Sequence, residues 1–281
     1  MTREDCCETM TVVKICGITE LEQACWALEA GAELLGFVLA PSRRQLPVQA
    51  AAEILLQCRG RFPPRQRPWQ AVGVFANQPL PFVRRAAVDA RLDCLQLSGQ
   101  EPPEYCRQLS MPLFKAIHLP AIAPAGPRCE CTVPEVTYVG RGALPRRPTL
   151  GQRGRGGAQG AALRRGTEER PTQWSIPLSA AYLEEARREY GATRLLLDSG
   201  GAGRWGGTGT AFSWDVVGEA ARDCLVAGGL NPANVVAAVA SMRPWGVDVS
   251  SGVERDGKKD PELIRSFVHQ AKGGNDHDHV G

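Results

Sequence analysis

The sequence predicts an α/β chain whose strands close into a (βα)8 barrel, and three observations lead there. Short, nearly continuous apolar runs rich in Val, Ile and Leu recur eight times, as expected of strands buried on both faces of a parallel sheet. Segments of helical period stand between most of them, and eight alternating units is the number that closes a barrel. No strand is followed by a G-x-G-x-x-G that opens a helix, which counts against an open doubly wound sheet. A chain of 281 residues with 43% hydrophobic content can fill one such domain.

The units follow in order. Val12–Cys16 is β-branched and reads as the first strand; Gly17-Ile18-Thr19 supplies a turn and a helix N-cap. Leu21, Ala24, Cys25 and Leu28 then have helical spacing, closed by Gly31. The second strand spans 34–39 and is broken by Pro41; after the loop Ser42-Arg43-Arg44, Pro47 starts a helix expected over 50–58. Strands are expected at 71–75 and 94–97, with helices at 81–90 and 103–109, and a fifth strand at 114–117. The rhythm resumes with a helix over 180–190, where Glu184 and Arg188 have favourable i, i+4 spacing, and a strand at 195–197 running into Asp198. Strands at 224–227 and 246–249, each followed by a helix, complete the set.

Residues 120–173 fit no part of this pattern. The stretch is rich in Arg, Gly and Pro, with too few aliphatics to offset the entropy of ordering, so a disordered low-complexity insertion after the fifth strand is expected, as is a disordered tail over 273–281. Between Arg141 and Arg170, eight arginines face Glu168 and Glu169, a local +6 against +3 for the whole chain, so the remainder is mildly acidic. The basic segment lacks the interleaved aromatics of a single-strand-binding tract, so nucleic acid is not the expected partner. The Asp276-His277-Asp278-His279 run reads as a frayed end rather than a metal site.

No apolar run is long enough to span a bilayer, and the N-terminus has no signal-peptide core. Ten cysteines, several inside apolar patterns, read as reduced thiols of a cytoplasmic protein rather than a disulfide framework. Monomer or homodimer is the expected state.

The chemistry is expected at the strand ends. Cys16 stops a strand at the face where barrel ligands collect, although most free cysteines are simply small buried hydrophobes. Asp198 ends the sixth strand on the same rim. A thiolate that removes a proton and a carboxylic acid that gives one would suit hydrogen transfer within a sugar phosphate. Three glycine-bearing loops, at Gly206-Gly207-Thr208-Gly209, Gly228-Gly229 and Ser250-Ser251-Gly252, offer backbone N–H groups to a phosphate, so a small phosphorylated substrate is expected. Arg44 is a fixed cation whose planar fork suits a carboxylate, or equally a surface arginine beside Arg43.

The runs Lys14-Ile15-Cys16-Gly17-Ile18-Thr19, Gly36-Phe37-Val38 leading to Ser42-Arg43-Arg44, and Val72-Gly73-Val74-Phe75-Ala76-Asn77 resemble the phosphoribosylanthranilate isomerase family of tryptophan biosynthesis. So do Leu196-Leu197-Asp198, Gly206-Gly207-Thr208-Gly209, Ala227-Gly228-Gly229-Leu230-Asn231-Pro232 and Val247-Asp248-Val249-Ser250-Ser251-Gly252-Val253-Glu254. The resemblance implies a TIM barrel that performs an Amadori rearrangement of N-(5-phosphoribosyl)anthranilate without metal or organic cofactor. It implies Cys16 as general base, Asp198 as general acid and Arg44 as the holder of the anthranilate carboxylate. Gly207, Gly209, Gly228, Gly229, Asp248, Ser250, Ser251 and Gly252 would bind substrate. Gln96-Leu97-Ser98-Gly99 departs from the family's usual Gln-Leu-His-Gly, putting a hydroxyl where an imidazole is expected. Two alternatives stand beside this reading: another phosphosugar barrel isomerase, against which Cys16 speaks, and a degenerate barrel with an RNA-binding Arg/Gly arm.

Overall fold

The structure, a computed structural model, describes residues 11–119, 137–138, 174–175, 179–198 and 217–273. Eight parallel strands form a closed barrel: β1 (Val12–Cys16), β2 (Leu34–Val38), β3 (Gln70–Phe75), β4 (Cys94–Leu97), β5 (Leu113–His118), β6 (Arg194–Asp198), β7 (Leu225–Val226) and β8 (Gly246–Val249). β8 pairs with both β7 and β1 and so closes the ring. Around it lie α1 (Leu21–Ala30), α2 (Val48–Arg61), α3 (Leu80–Asp89), α4 (Pro103–Cys106), α5 (Ala180–Tyr190), α6 (Val235–Met242) and α7 (Pro261–Ala271). No helix among the described residues is long and apolar enough to cross a membrane.

Alternation along each strand divides the core in two. Val13, Ile15, Leu35 and Phe37 point outward beneath the helices and are fully buried; each such burial is worth ~1.5–3 kcal/mol. Leu34, Val72, Cys94 and Phe114 fill the lower barrel interior, with Val12 and Trp245 against them. Following the same alternation upward brings Lys14 and Cys16, Gln96 and Ser98, His118, and Asp198 towards the mouth.

Several expected boundaries shift. α2 spans Val48–Arg61 because Pro47, with φ −59°, already sets the N-cap geometry and the helix begins directly after it. α4 is a single turn: beyond Cys106, Gln108 and Leu109 donate three residues back, to the carbonyls of Tyr105 and Cys106, so the chain tightens out of the α-helix. β7 is shorter than expected, since the Cys224 amide closes a short 3₁₀ segment on the Ala221 carbonyl. Thr19 is not the N-cap of α1. Glu20 occupies that position without a side-chain cap, and the Gln23 side chain reaches back instead to accept from both the Thr19 amide at 2.9 Å and its hydroxyl at 3.2 Å. Gly31 closes α1 as expected, with φ 107°.

Thr137–Tyr138, in the segment expected to lack structure, pairs antiparallel with Trp174–Ser175 just beyond it. The rest of 120–173, and the tail beyond 273, lie outside the described residues. The six described cysteines, Cys16, Cys25, Cys58, Cys94, Cys106 and Cys224, are free thiols.

Candidate active site

The C-terminal ends of the strands surround a cavity of about 140 Å3 lined by Cys16, Arg44, Gln96, Ser98, His118, Asp198, Asp248 and the loops 227–230 and 250–252. Two residues expected to face each other, Cys16 and Asp198, line this one space, and Arg44, Gly228, Gly229, Asp248, Ser250, Ser251 and Gly252 line it with them. Gly207 and Gly209 lie outside the described residues.

Gly17 directly follows β1 with φ 79°, a conformation that favours glycine. A Cβ on it would lie 2.4 Å from Arg44 Cδ, so the missing side chain is also what lets the arginine stem cross the rim. The Gly17 and Ile18 amides both donate to the Gly36 carbonyl, at 2.8 and 3.0 Å, and the Ser250 hydroxyl donates to the Cys16 carbonyl at 3.0 Å. The thiol is thus carried on backbone held from both neighbouring strands.

Lys14 is paired in register with Asp248 across the β1/β8 ladder, and its ammonium donates to Asp248 Oδ1 at 2.9 Å with no exposure of the lysine. Burial disfavours the charged lysine, yet the charges of Asp248 and Cys16 outweigh it and raise Lys14 above its ordinary value. For Cys16 the balance goes the other way. Burial pushes the thiol up, Lys14 pulls against it, the Asp248 charge adds to the upward push, and a smaller pull from Lys259 does not cancel the sum. Gly36 makes this crowding possible: a Cβ there would lie 2.8 Å from Cys16 Sγ and 2.9 Å from Lys14 Nζ.

The expected open fork of Arg44 is in part engaged. Its Nε and Nη2 donate to the two carboxylate oxygens of Glu254 at 2.6 and 3.0 Å. That uses one edge of the guanidinium and leaves the Nη1/Nη2 end as the second bidentate edge. Glu254 also accepts from Arg43 and Lys259. Burial works to raise its carboxyl, but the hydrogen bonds and charges of Arg44 and Lys259 prevail and hold it at about 2. Lys259 in turn donates to the Ser250 carbonyl at 2.9 Å, linking the arginine clamp to the loop after β8.

The two described glycine loops form a continuous amide-bearing surface. Gly228 and Gly229 have φ of 93° and 66°, and a Cβ on Gly252 would collide with the Leu230 carbonyl at 1.8 Å. Among the described residues, no turn or loop backbone hydrogen bond recruits the N–H groups of Gly228 or Gly229, and Ser251 and Gly252 open a short 3₁₀ turn, whose first N–H groups have no partner within the turn. Such a cluster of exposed donors suits an anion.

Three lining or supporting residues escaped the sequence reading: Lys14, Gln96 and His118. Gln96 Nε2 donates to Ser98 Oγ at 3.0 Å, while its Oε1 is buried with no hydrogen-bond partner among the described residues. His118 pairs in register with Asp198; its Nε2 lies 2.8 Å from the Ser98 carbonyl and its Nδ1 3.8 Å from Asp198 Oδ2. The available signal was a polar residue at an inward position of an otherwise apolar strand, as in Val12-Val13-Lys14-Ile15 and Cys94-Leu95-Gln96-Leu97.

Closed barrel, rim cavity, buried titratable groups and anion-suited loops together define a (βα)8-barrel enzyme. The sequence profile described as N-(5'-phosphoribosyl)anthranilate isomerase matches residues 13–129 and 165–270, skipping 130–164 inside the inserted segment. N-(5'-phosphoribosyl)anthranilate isomerases of Desulfitobacterium hafniense (strain DSM 10664 / DCB-2) and Desulforudis audaxviator are each 37% identical to the chain, covering 94% of it and 98% of their own length. The crystal structure of the Thermotoga maritima phosphoribosyl anthranilate isomerase superposes with a TM-score of 0.64 at 29% identity, covering 94% of this chain and 100% of its own. A further phosphoribosyl anthranilate isomerase structure, in complex with reduced 1-(o-carboxyphenylamino)-1-deoxyribulose 5-phosphate, gives 0.60 at 28% identity, over 94% of this chain and 100% of that one. The chain belongs to the N-(5'-phosphoribosyl)anthranilate isomerase family.

Proposed function

We propose that this chain converts N-(5-phosphoribosyl)anthranilate to 1-(2-carboxyphenylamino)-1-deoxyribulose 5-phosphate, the isomerisation step of tryptophan biosynthesis, with Asp198 as general acid and Cys16 as general base. One observation carries the reading: a thiol and a carboxyl line the same rim cavity as an arginine and two anion-suited loops. The ligand named for the related complex has a carboxylate at one end and a phosphate at the other. Arg44, through its outer guanidinium edge, suits the carboxylate; the amides of Gly228, Gly229, Ser251 and Gly252 suit the phosphate.

In this reading Asp198 protonates the ribose ring oxygen as the C1–O bond breaks, and the anilino nitrogen supplies the electron pair that forms the C=N bond. Cys16 then removes the C2 proton; the electrons of that bond form C1=C2, neutralise the iminium and give an enolamine, which tautomerises to the ketone. Only the thiolate can take the proton. Because burial raises the Cys16 thiol, Lys14 is the group that keeps its ionised form accessible. Asp248 holds Lys14 in place for this step although its own charge disfavours the thiolate, and Gln96 Oε1 offers an acceptor to a substrate hydroxyl or N–H.

Cys16→Ala and Asp198→Asn are each expected to lower kcat by ~10³-fold or more with unchanged thermal unfolding, and neither restores growth of a tryptophan auxotroph lacking this step. Wild-type turnover in the Asp198 variant refutes its role as the acid.

A further inference from the structure

A general acid must regain a proton after each turnover. Around Asp198 the described residues offer one group suited to return it. His118 stands directly opposite Asp198 in the β5/β6 ladder, and both line the cavity. The Ser98 carbonyl, 2.8 Å from His118 Nε2, can only accept, so Nε2 carries a hydrogen. In the neutral ring Nδ1 is then a base, and in the imidazolium it is a donor; in both states it faces Asp198 Oδ2 at 3.8 Å. That separation is too short for an intervening water and within a small side-chain rotation of a direct hydrogen bond, the kind of contact that tightens when substrate binds.

Ser98 is itself held from below, its hydroxyl accepting from Gln96 Nε2. A line of contacts therefore runs Gln96, Ser98, His118, Asp198 along the β4–β5–β6 side of the mouth. Lys115 and Glu101 are buried against each other at 2.8 Å and tie down the loop after β4. Among the described residues, Cys16, Arg44 and Asp248 are the other titratable and charged groups of the lining.

We propose that His118 is a positioning residue for Asp198 that also returns its proton. Resting on the assignment of Asp198 as the acid, the step runs as follows. Once Asp198 has given its proton to the ring oxygen, the Nδ1–H bond of the His118 imidazolium breaks and an O–H bond forms on the Asp198 carboxylate. The ring is left neutral with hydrogen on Nε2, and solvent restores its second proton, balancing the one that Cys16 takes from C2.

The test compares wild type, His118→Ala, His118→Asn and Asp198→Asn, with thermal unfolding measured on each and kcat and KM measured with and without added imidazole and 4-methylimidazole. His118→Ala is expected to lower kcat about tenfold or more with KM little changed. Added imidazole should restore part of the loss, and the more basic methylimidazole more of it. His118→Asn, which can donate a hydrogen bond but cannot relay a proton, should stay impaired. Wild-type kcat in either His118 variant, or a loss that no imidazole repairs, overturns the proposal. If Asp198→Asn is inactive while the His118 variants fail in this way, only the relay falls; an active Asp198→Asn removes the acid assignment beneath it.

Discussion

Lys14 and Asp248 meet across the β1/β8 seam of the barrel in a buried ion pair of 2.9 Å, two residues below the Cys16 thiol on the same strand face. An ion pair so placed is a weak source of stability, because the cost of desolvating both charges offsets much of their attraction. Its consequence is electrostatic: a fixed positive charge beside the sulfur that opposes, without cancelling, the upward push of burial and of the Asp248 charge.

Lys14→Met tests that consequence. With the cation gone the thiol rises further, so the limb on which kcat/KM increases with pH should move to more alkaline values; a limb that stays in place, or moves towards acid, contradicts the role. The single variant strands Asp248 in the interior and should be destabilised by ~3–5 kcal/mol. Lys14→Met/Asp248→Leu should recover much of that stability, as read by denaturant unfolding, while the neutral-pH rate stays low.

Glu254 steadies Arg44 through two hydrogen bonds, so Glu254→Gln should raise KM about tenfold, the loss of roughly one charge-assisted bond, with a smaller change in kcat. The carboxyl is held at about 2 against an ordinary 4.5, so its ionic contribution to stability is complete above 4.5 and is lost as the pH falls towards 2. Unfolding titrations should therefore separate wild type from Glu254→Gln at neutral pH and bring them together near pH 2.

Gly36→Ala puts a methyl group 2.8 Å from Cys16 Sγ and 3.0 Å from Cys16 Cα. The thiol and the Lys14 ammonium must shift to admit it, and displacements of this order at a reacting group cost ~10²-fold in rate. A stably folded Gly36→Ala with wild-type kcat would mean that the spacing of sulfur and ammonium is not critical.

Gln96→Met keeps the side-chain volume and removes a buried carbonyl oxygen that has no partner among the described residues. Thermal stability should hold or rise, since an unsatisfied buried acceptor costs ~1–3 kcal/mol, while kcat/KM should fall. Stability and activity moving in opposite directions is the signature of a polar group kept for a substrate.

Much of the architecture was legible because it is written in local chemistry. β1 and its abrupt end at Cys16-Gly17, the closing Gly31, and the Glu184–Arg188 contact at 2.8 Å follow from β-branching, a residue free to adopt positive φ, and i, i+4 spacing. Thr19 has a cap's chemistry but not its role, because Gln23 supplies from within the helix what a preceding side chain usually does, and propensity does not distinguish the two. The insertion was visible in composition alone, and the family match omits its centre.

The site divides along the same line. That Cys16, Asp198, Arg44 and the loops at 228–229 and 250–252 share one rim could be read from the chain, because each stands at or just after the end of an apolar run. Lys14 and His118 could not, since each matters through the strand beside it: Asp248 lies 234 positions from Lys14, and only the barrel register makes them neighbours. The sequence by itself determined the eight units, their alternation and which rim carries reactive groups, because those depend on periodicity and short-range sterics. Which charges touch, which edge of Arg44 is taken by Glu254 and which histidine nitrogen faces Asp198 were decided by closure of the barrel, since burial and Coulomb forces act on distance in space, which linear order does not encode.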